Sequence, residues 1–362
     1  MRYIIIGAGA VGGTVGGRLF ESGHDVVLVA RGRHYEALSA KGLRLRDPER
    51  EAVLPIPAAD GPERVELRAD DVLVLAVKTQ DTAAVLDAWA DRPVRGGRAD
   101  AGPDGAGRAA DLLPIVCAQN GVENERLALR RFRRVYGACV WMPATHLDPG
   151  VVEAQGSPLS GILHLGRYPS GADDTVHRIA EDLVKAKFLA PVRDDVMRWK
   201  YGKLLANLAN AVNALSGAGA GSELAELTAL AVTEAEAVLD AAGINVASRD
   251  EQAGYQSQVR TRPVVGGSPW GGGSSWQSLV RATGSIETDY LNGEIALLGR
   301  LHGVPTPVNA LLQRLADRFA RERRSAGSLP AAELLRLVRE ATAAESTAAG
   351  STAASTAAES TA

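Results

Sequence analysis

Met1-Arg2-Tyr3-Ile4-Ile5-Ile6-Gly7-Ala8-Gly9-Ala10-Val11-Gly12 opens the chain, and its reading decides the fold. Tyr3–Ile6 is a short apolar run rich in β-branched residues, the composition of a buried strand. G-x-G-x-x-G follows at once, and a helix is expected from about Val11 to Ser22. In a strand–turn–helix unit the first glycine makes the tight turn and the second lets backbone approach a pyrophosphate. The third lets helix and strand pack closely. The helix N-terminus adds free N–H groups and the positive end of a dipole. Gly7, Ala8, Gly9, Ala10, Val11 and Gly12 are therefore the expected phosphate-binding loop of a dinucleotide site, against the plainer alternative of a glycine-rich surface turn.

Outward from this loop, a second strand, Asp25–Ala30, runs into Arg31-Gly32-Arg33. NAD sites usually place an acid there for the ribose 2′-hydroxyl. None stands at 30–33, and Arg31 can pair with a 2′-phosphate, which favours NADP. Val72–Val77 and Ile115–Ala118 are unbroken apolar runs that suit a parallel sheet covered on both faces. Ligands of such sheets lie at the carboxyl ends of strands, which places Lys78 and Asn120 along the cofactor cleft. GACVWM at 137–142, GVVEAQ at 150–155 and GILHLG at 161–166 read as antiparallel additions to the sheet, and Arg95–Ala110 as a loop insertion. From about Asp194 the pattern turns helical, with one helix expected over Trp199–Leu215 and another over about 223–242. A glycine-rich break at 266–273 precedes further helix, and from Glu345 Ser-Thr-Ala units carry almost no hydrophobic mass.

Composition narrows the function classes. The chain has 362 residues with 40 basic against 43 acidic, so nothing draws it toward nucleic acid. Two cysteines, Cys117 and Cys139, cannot build a disulfide framework or a four-cysteine metal site, and they suit a reducing cytoplasm. Six histidines without H-E-x-x-H predict no metal site. No signal peptide and no membrane-spanning run are expected. Lysine is rare: Lys41, Lys78, Lys185, Lys187, Lys200 and Lys203 are the only six among the 40 basic residues. A lysine kept in so arginine-rich a chain points to a need for an exchangeable proton, and Lys78 and Lys203 draw most attention. Lys203, Asn207 and Asn210 share one helical face at i, i+4 and i+7. Asparagine is poor inside helices, so the stripe is either an interhelical hydrogen-bond network or a substrate-facing surface.

Taken in order, GAGAVG at 7–12, VKTQ at 77–80, QNG at 119–121, K-x-x-x-N at 203–207, SSW at 274–276 and ETDYLNG at 287–293 resemble the ketopantoate reductases, from residue 1 to about 325. The resemblance implies an α/β architecture. A Rossmann-type doubly wound parallel sheet at 1–193 would bind NADP, and an all-helical domain like the C-terminal one of 6-phosphogluconate dehydrogenase would follow at 194–340, for substrate and dimerisation. A disordered tail would cover 345–362. The implied reaction is NADPH-dependent reduction of a 2-oxo acid to a 2-hydroxy acid, with 2-dehydropantoate first in line. Lys203 would be the proton donor and touch substrate, with Asn120, Asn207, Asn210 and Ser275 holding it. Lys78 and Asn120 would touch the cofactor, Glu287 would contact it or order the site, and His146 would lie near the nicotinamide. Ala211 and Gly221 stand where related reductases often carry asparagine; Asn210 can replace the first side chain, but nothing replaces the second. Substrate identity is thereby left open. Another ketone or 2-oxo acid is the alternative, and a non-catalytic NADP-binding regulator the third reading. The joint presence of Lys203, Asn207 and Glu287 disfavours that third reading. The expected partners are a small 2-oxo acid and a second copy in a homodimer, without nucleic acid or membrane.

Overall fold

The computed structural model describes residues 1–96, 107–219, 221–267 and 272–359. Residues 97–106 of the expected loop insertion and 268–271 of the glycine-rich break lie outside the described residues. Two compact units form: Met1–Lys203 with Val246–Trp270, and Leu204–Asn245 with Gly271–Ala362.

The first unit is built on an eight-stranded sheet. Its spatial order is Phe188–Leu189, Gly161–Arg167, Arg134–Trp141, Pro114–Cys117, Asp71–Leu75, Arg2–Ile6, Asp25–Val29 and Ala58–Ala59. Every neighbouring pair from Arg134–Trp141 to Ala58–Ala59 is parallel. Alternate side chains of the first strand feed opposite faces: Tyr3 and Ile5 join one buried cluster, Ile4 and Ile6 the other. Apolar residues are needed at every position because both faces are covered. The chain leaves Arg2–Ile6 for Asp25–Val29 on one side, then crosses to Asp71–Leu75 on the other. The carboxyl ends of these strands therefore flank a topological switch point, where open sheets bind ligands.

Three local expectations are corrected. Gly161–Arg167 joins the sheet antiparallel to Arg134–Trp141, as read, but Arg134–Trp141 itself is parallel to Pro114–Cys117. Val151–Ala154 leaves the main sheet for a separate four-stranded one, beside Ala144–Thr145 and Leu43–Arg46. The division of the chain falls inside the helix Val196–Asn207 rather than at 194, because Val196 packs on Gly137 and Gly166, and Trp199 on Cys139, both within the first unit. Residues 246–270 also return to that unit. Ala247 completes the Cys139–Trp199 cluster, and Val259–Thr261 pairs with Gly156–Pro158. Hydrophobic periodicity carries no trace of such a long-range return.

The second unit holds the helices Ala209–Ser216, Ser222–Ala241, Ser274–Val280, Asn292–His302 and Pro307–Arg321 around Leu215, Leu227, Val238, Ile295 and Leu312. The single helix expected over 199–215 is two, Val196–Asn207 and Ala209–Ser216. The interruption is slight: Leu208 keeps helical dihedrals while its N–H turns to Leu205 O, three residues back. The final helix runs over Ala331–Glu359, so the stretch from 345 is helical rather than disordered, in keeping with the propensity of alanine. Residues 360–362 lie outside the described residues.

A buried polar network joins this unit's helices. Asn292 Nδ2 donates to Asn309 Oδ1 at 3.0 Å, and Asn309 Nδ2 donates to Ala231 O at 2.9 Å. The Glu234 carboxylate accepts the Val308 and Asn309 N–H groups at 2.8 and 2.9 Å, capping the helix Pro307–Arg321. Burial raises the Glu234 pKa while these donors pull it down. Asn309→Ala would remove three buried side-chain hydrogen bonds and leave the Asn292 amide only a 3.5 Å approach to Leu208 O. It should lower stability by ~2–3 kcal/mol in equilibrium urea unfolding, and an unchanged midpoint would show that the network adds nothing.

Candidate active site

The glycine loop is held by close backbone approach. Gly7 has φ +102°, and a Cβ there would lie 2.7 Å from Val77 N and 2.8 Å from Ala76 C. A Cβ on Gly12 would lie 2.1 Å from Gly7 O. Gly9 is different: its nearest neighbour would be His146 Cδ2 at 4.0 Å, so this face of the loop is open. Gly9 caps the helix Ala10–Glu21 without a side chain, and no acid occupies the first turn. The helix amides and dipole therefore remain available to an anion, which fits the pyrophosphate of a dinucleotide.

Arg31 is exposed at the head of the helix Gly32–Lys41, directly after the second strand. Three residues on, His34 clamps the loop. The Gly150 N–H donates to His34 Nδ1 at 2.9 Å, so the proton sits on Nε2 and is donated to Ala8 O at 2.8 Å. The His34 and His146 rings lie 4.2 Å apart, and His146 Nδ1 donates to Val151 O at 2.9 Å. His146 thus stands beside Gly9 of the phosphate loop. His34 escaped the sequence reading, although its place just after Arg31 was an available signal.

Lys78 and Asn120 occupy the turns after two adjacent strands whose ends are in register, Leu75 opposite Cys117. Gln119 ties these turns together, its amide donating to Val77 O at 3.0 Å and to Thr82 Oγ1 at 2.8 Å. Asn124 Nδ2 donates to Asn120 O and to Thr79 Oγ1, both at 3.1 Å. Both side chains sequence reasoning selected here are half-buried at strand ends.

Lys203 lies on the helix Val196–Asn207, and its Nζ donates to the carbonyl of Val140 and stands 3.9 Å from the Trp141 ring centroid. Burial lowers its pKa to about 8. The Lys200 charge acts in the same direction, and Cys139 opposes it. Lys200 is itself buried, paired with Glu125 and donating to Gln119 O at 3.1 Å. Burial pushes the Glu125 carboxyl up against the pull of Lys200, and the Cys139 thiol up to about 11. One helix therefore carries two lysines drawn out of water, Lys200 buried and neutralised by a carboxylate, Lys203 half-buried and not. The rarity of lysine was a usable signal for Lys200. The Val140 carbonyl has none, being backbone.

In the second unit, Asn207 is buried with its Nδ2 lacking a hydrogen-bond partner among the described residues, as are Ser274 Oγ and Ser275 Oγ. Asn210 Nδ2 faces Asn207 Oδ1 at 3.5 Å. A Cβ on Gly273 would lie 2.9 Å from Asn210 Oδ1, so the turn before Ser275 is pressed against Asn210. Buried polar atoms left unpaired are costly and uncommon, so these three call for a polar partner from outside the chain, water or ligand. Glu287 is buried at the start of the short helix Glu287–Tyr290.

This geometry has close relatives. The family described as ketopantoate reductase PanE/ApbA matches residues 3–170, and its C-terminal counterpart matches residues 195–320. A 2-dehydropantoate 2-reductase from Mesorhizobium japonicum is 34% identical over 355 residues, covering 87% of this chain and 98% of the relative. The crystal structure of a PanE/ApbA family ketopantoate reductase from Ralstonia eutropha superposes with a TM-score of 0.69 at 25% identity, covering 90% of this chain and 100% of that one. A D-mandelate dehydrogenase solved with NADH and anilino(oxo)acetate shares the fold, with a TM-score of 0.72 at 21% identity over 89% of this chain and 99% of that one. A glycine loop shaped for a dinucleotide, a half-buried lysine of lowered pKa and a two-part match to one family converge, and the chain belongs to the ketopantoate reductase family.

Proposed function

We propose that the protein reduces 2-dehydropantoate to pantoate with NADPH. The observation that carries this reading is Lys203, a half-buried ammonium held by the Val140 carbonyl and the Trp141 ring, with its pKa lowered to about 8. Bound NADPH supplies the hydride that reaches the ketone carbon. Negative charge then develops on the ketone oxygen, and Lys203 stabilises it and delivers the proton, a contribution of ~10²–10⁴-fold for a general acid. An ammonium has three donors. One goes to Val140 O and the Trp141 face takes up a second direction, which leaves a third for the substrate oxygen. Asn207, Asn210 and Ser275 orient the carboxylate and hydroxyl of the substrate. Arg31 pairs with the 2′-phosphate. Gly7–Gly12 receive the pyrophosphate, Lys78, Asn120 and Glu287 serve the cofactor side, and His146 supports the loop at Gly9. The substrate partner in this reading is a small 2-oxo acid, the assembly a homodimer, and the compartment the cytoplasm, in line with free thiols at Cys117 and Cys139.

A second substrate reading has a specific observation behind it: Ala211 and Gly221 lack the amide side chains that related reductases often place there. A panel of 2-oxo acids assayed by NADPH oxidation decides between them. Ketopantoate should show the highest kcat/KM, and another substrate ranking first would replace it while leaving the reductase chemistry intact.

Lys203→Ala should lower kcat by ~10²-fold or more with the Kd for NADPH unchanged, and Lys203→Arg should restore little, because guanidinium holds its proton. Lys78→Ala should instead raise the KM for NADPH. The acid form of Lys203 is the active one, so reduction should fall as pH rises through about 8. A flat profile across that range would remove Lys203 from the role. Arg31→Ala should weaken NADPH by ~10–100-fold and NADH hardly at all, because only the former carries the phosphate; equal losses would refute the contact.

A further inference from the structure

Trp141 closes the strand Arg134–Trp141, one residue after the carbonyl that accepts from Lys203. The indole ring faces the same ammonium, with Nζ 3.9 Å from the ring centroid. Two consecutive residues at one strand end therefore set where the ammonium stands. The indole N–H is buried and has the Cys139 thiol, a weak acceptor, beside it. Buried tryptophans usually find a stronger partner. A phenylalanine or leucine would fill this position without burying a poorly served donor, so packing alone does not account for indole here.

The charges around Lys203 supply the reason. Lys200, one turn back on the same helix, is a like charge. Its partner Glu125, on the helix Asn124–Leu129, is engaged with Lys200 rather than with Lys203. Cys139, on the strand Arg134–Trp141, is a thiol whose pKa burial raises, hence neutral near pH 7, and its Sγ donates to Trp199 O at 3.3 Å. No carboxylate pairs with Lys203 among the described residues of the first unit. An aromatic face attracts a cation and is indifferent to the neutral amine, most strongly for tryptophan and in a desolvated site.

We propose that Trp141 is a positioning residue for Lys203. Its ring face holds the lysine as an ammonium, in the place a carboxylate counter-ion would occupy, and aligns it with the Val140 carbonyl. The inference rests on Lys203 being the proton donor.

The test is the pH profile of single-turnover NADPH oxidation with ketopantoate, on the full chain, for the wild type, Trp141→Phe, Trp141→Leu and Lys203→Ala. Losing the ring should move the alkaline limb to lower pH by about half to one unit in Trp141→Leu, and by a smaller step in Trp141→Phe. At pH 6, where the lysine stays charged, both variants should keep rates within a few-fold of wild type, with the Kd for NADPH unchanged. A merely structural role would lower the rate at every pH and leave the limb in place. That result, or a limb moved to higher pH, overturns the proposal. If Trp141→Leu fails to fold, the Trp141→Phe limb alone decides, and an unmoved limb counts against it. Full turnover in Lys203→Ala would sink the donor assignment itself. Lost turnover in Lys203→Ala with an unmoved limb in the tryptophan variants would sink only the role of Trp141.

Discussion

The contact between Gly7 and the backbone at 76–77 is the constraint on which the first unit depends. At 2.7 Å from Val77 N, there is no room for a Cβ, and none for a looser turn. The same squeeze brings the helix Ala10–Glu21 onto the sheet through Gly12, and it sets the end of the first strand level with its neighbours, Ile6 opposite Leu75 and Val29. Lys78 and Asn120 follow from that register, because each begins where a neighbouring strand stops. His34 adds a side-chain tie from the next helix to Ala8 O, so the loop is fixed from the sheet on one side and from the helix Gly32–Lys41 on the other.

Burial of charge is the second organising cost. Desolvation dominates at Lys203, Glu125 and Cys139 alike, and each responds according to its chemistry. The lysine moves toward giving up its proton; the carboxyl and the thiol move toward keeping theirs. Removing one partner of a buried pair such as Lys200–Glu125 leaves an uncompensated charge, which costs far more than a surface pair ever contributes. That pair roots the helix bearing Lys203 to the Gln119 turn, so Lys203 and the strand-end loop share one anchor.

Polar groups in the second unit fall into two kinds. Asn292 through its Nδ2, Asn309 and Glu234 bond to one another and to backbone and join helices, though Asn292 Oδ1 has no partner among the described residues. Asn207 Nδ2, Ser274 Oγ and Ser275 Oγ are equally buried but have no partner among the described residues. The first kind contributes stability. The second kind carries a desolvation cost that a polar partner from outside the chain, water or ligand, offsets.

The sequence by itself determined the glycine loop, the parallel sheet and the strand-end positions of Lys78 and Asn120, because these follow from local composition and from apolar runs that only a doubly covered sheet tolerates. It also singled out Lys203, through the scarcity of lysine and a family-like spacing, and Asn207, Asn210 and Ser275, whose surroundings in the second unit it could not describe. Tertiary structure decided what depends on residues far apart in the chain. It carried 246–270 back to the first unit, moved Val151–Ala154 into a separate sheet and placed His34 against Ala8. Pairing Lys200 with Glu125 brings together positions 75 residues apart, and the cradle of Lys203 is a carbonyl and a ring from a strand 62 or more residues earlier. Such contacts leave no periodicity in the sequence, since a hydrogen bond to a backbone carbonyl or a cation over a ring asks nothing of the residues next to it.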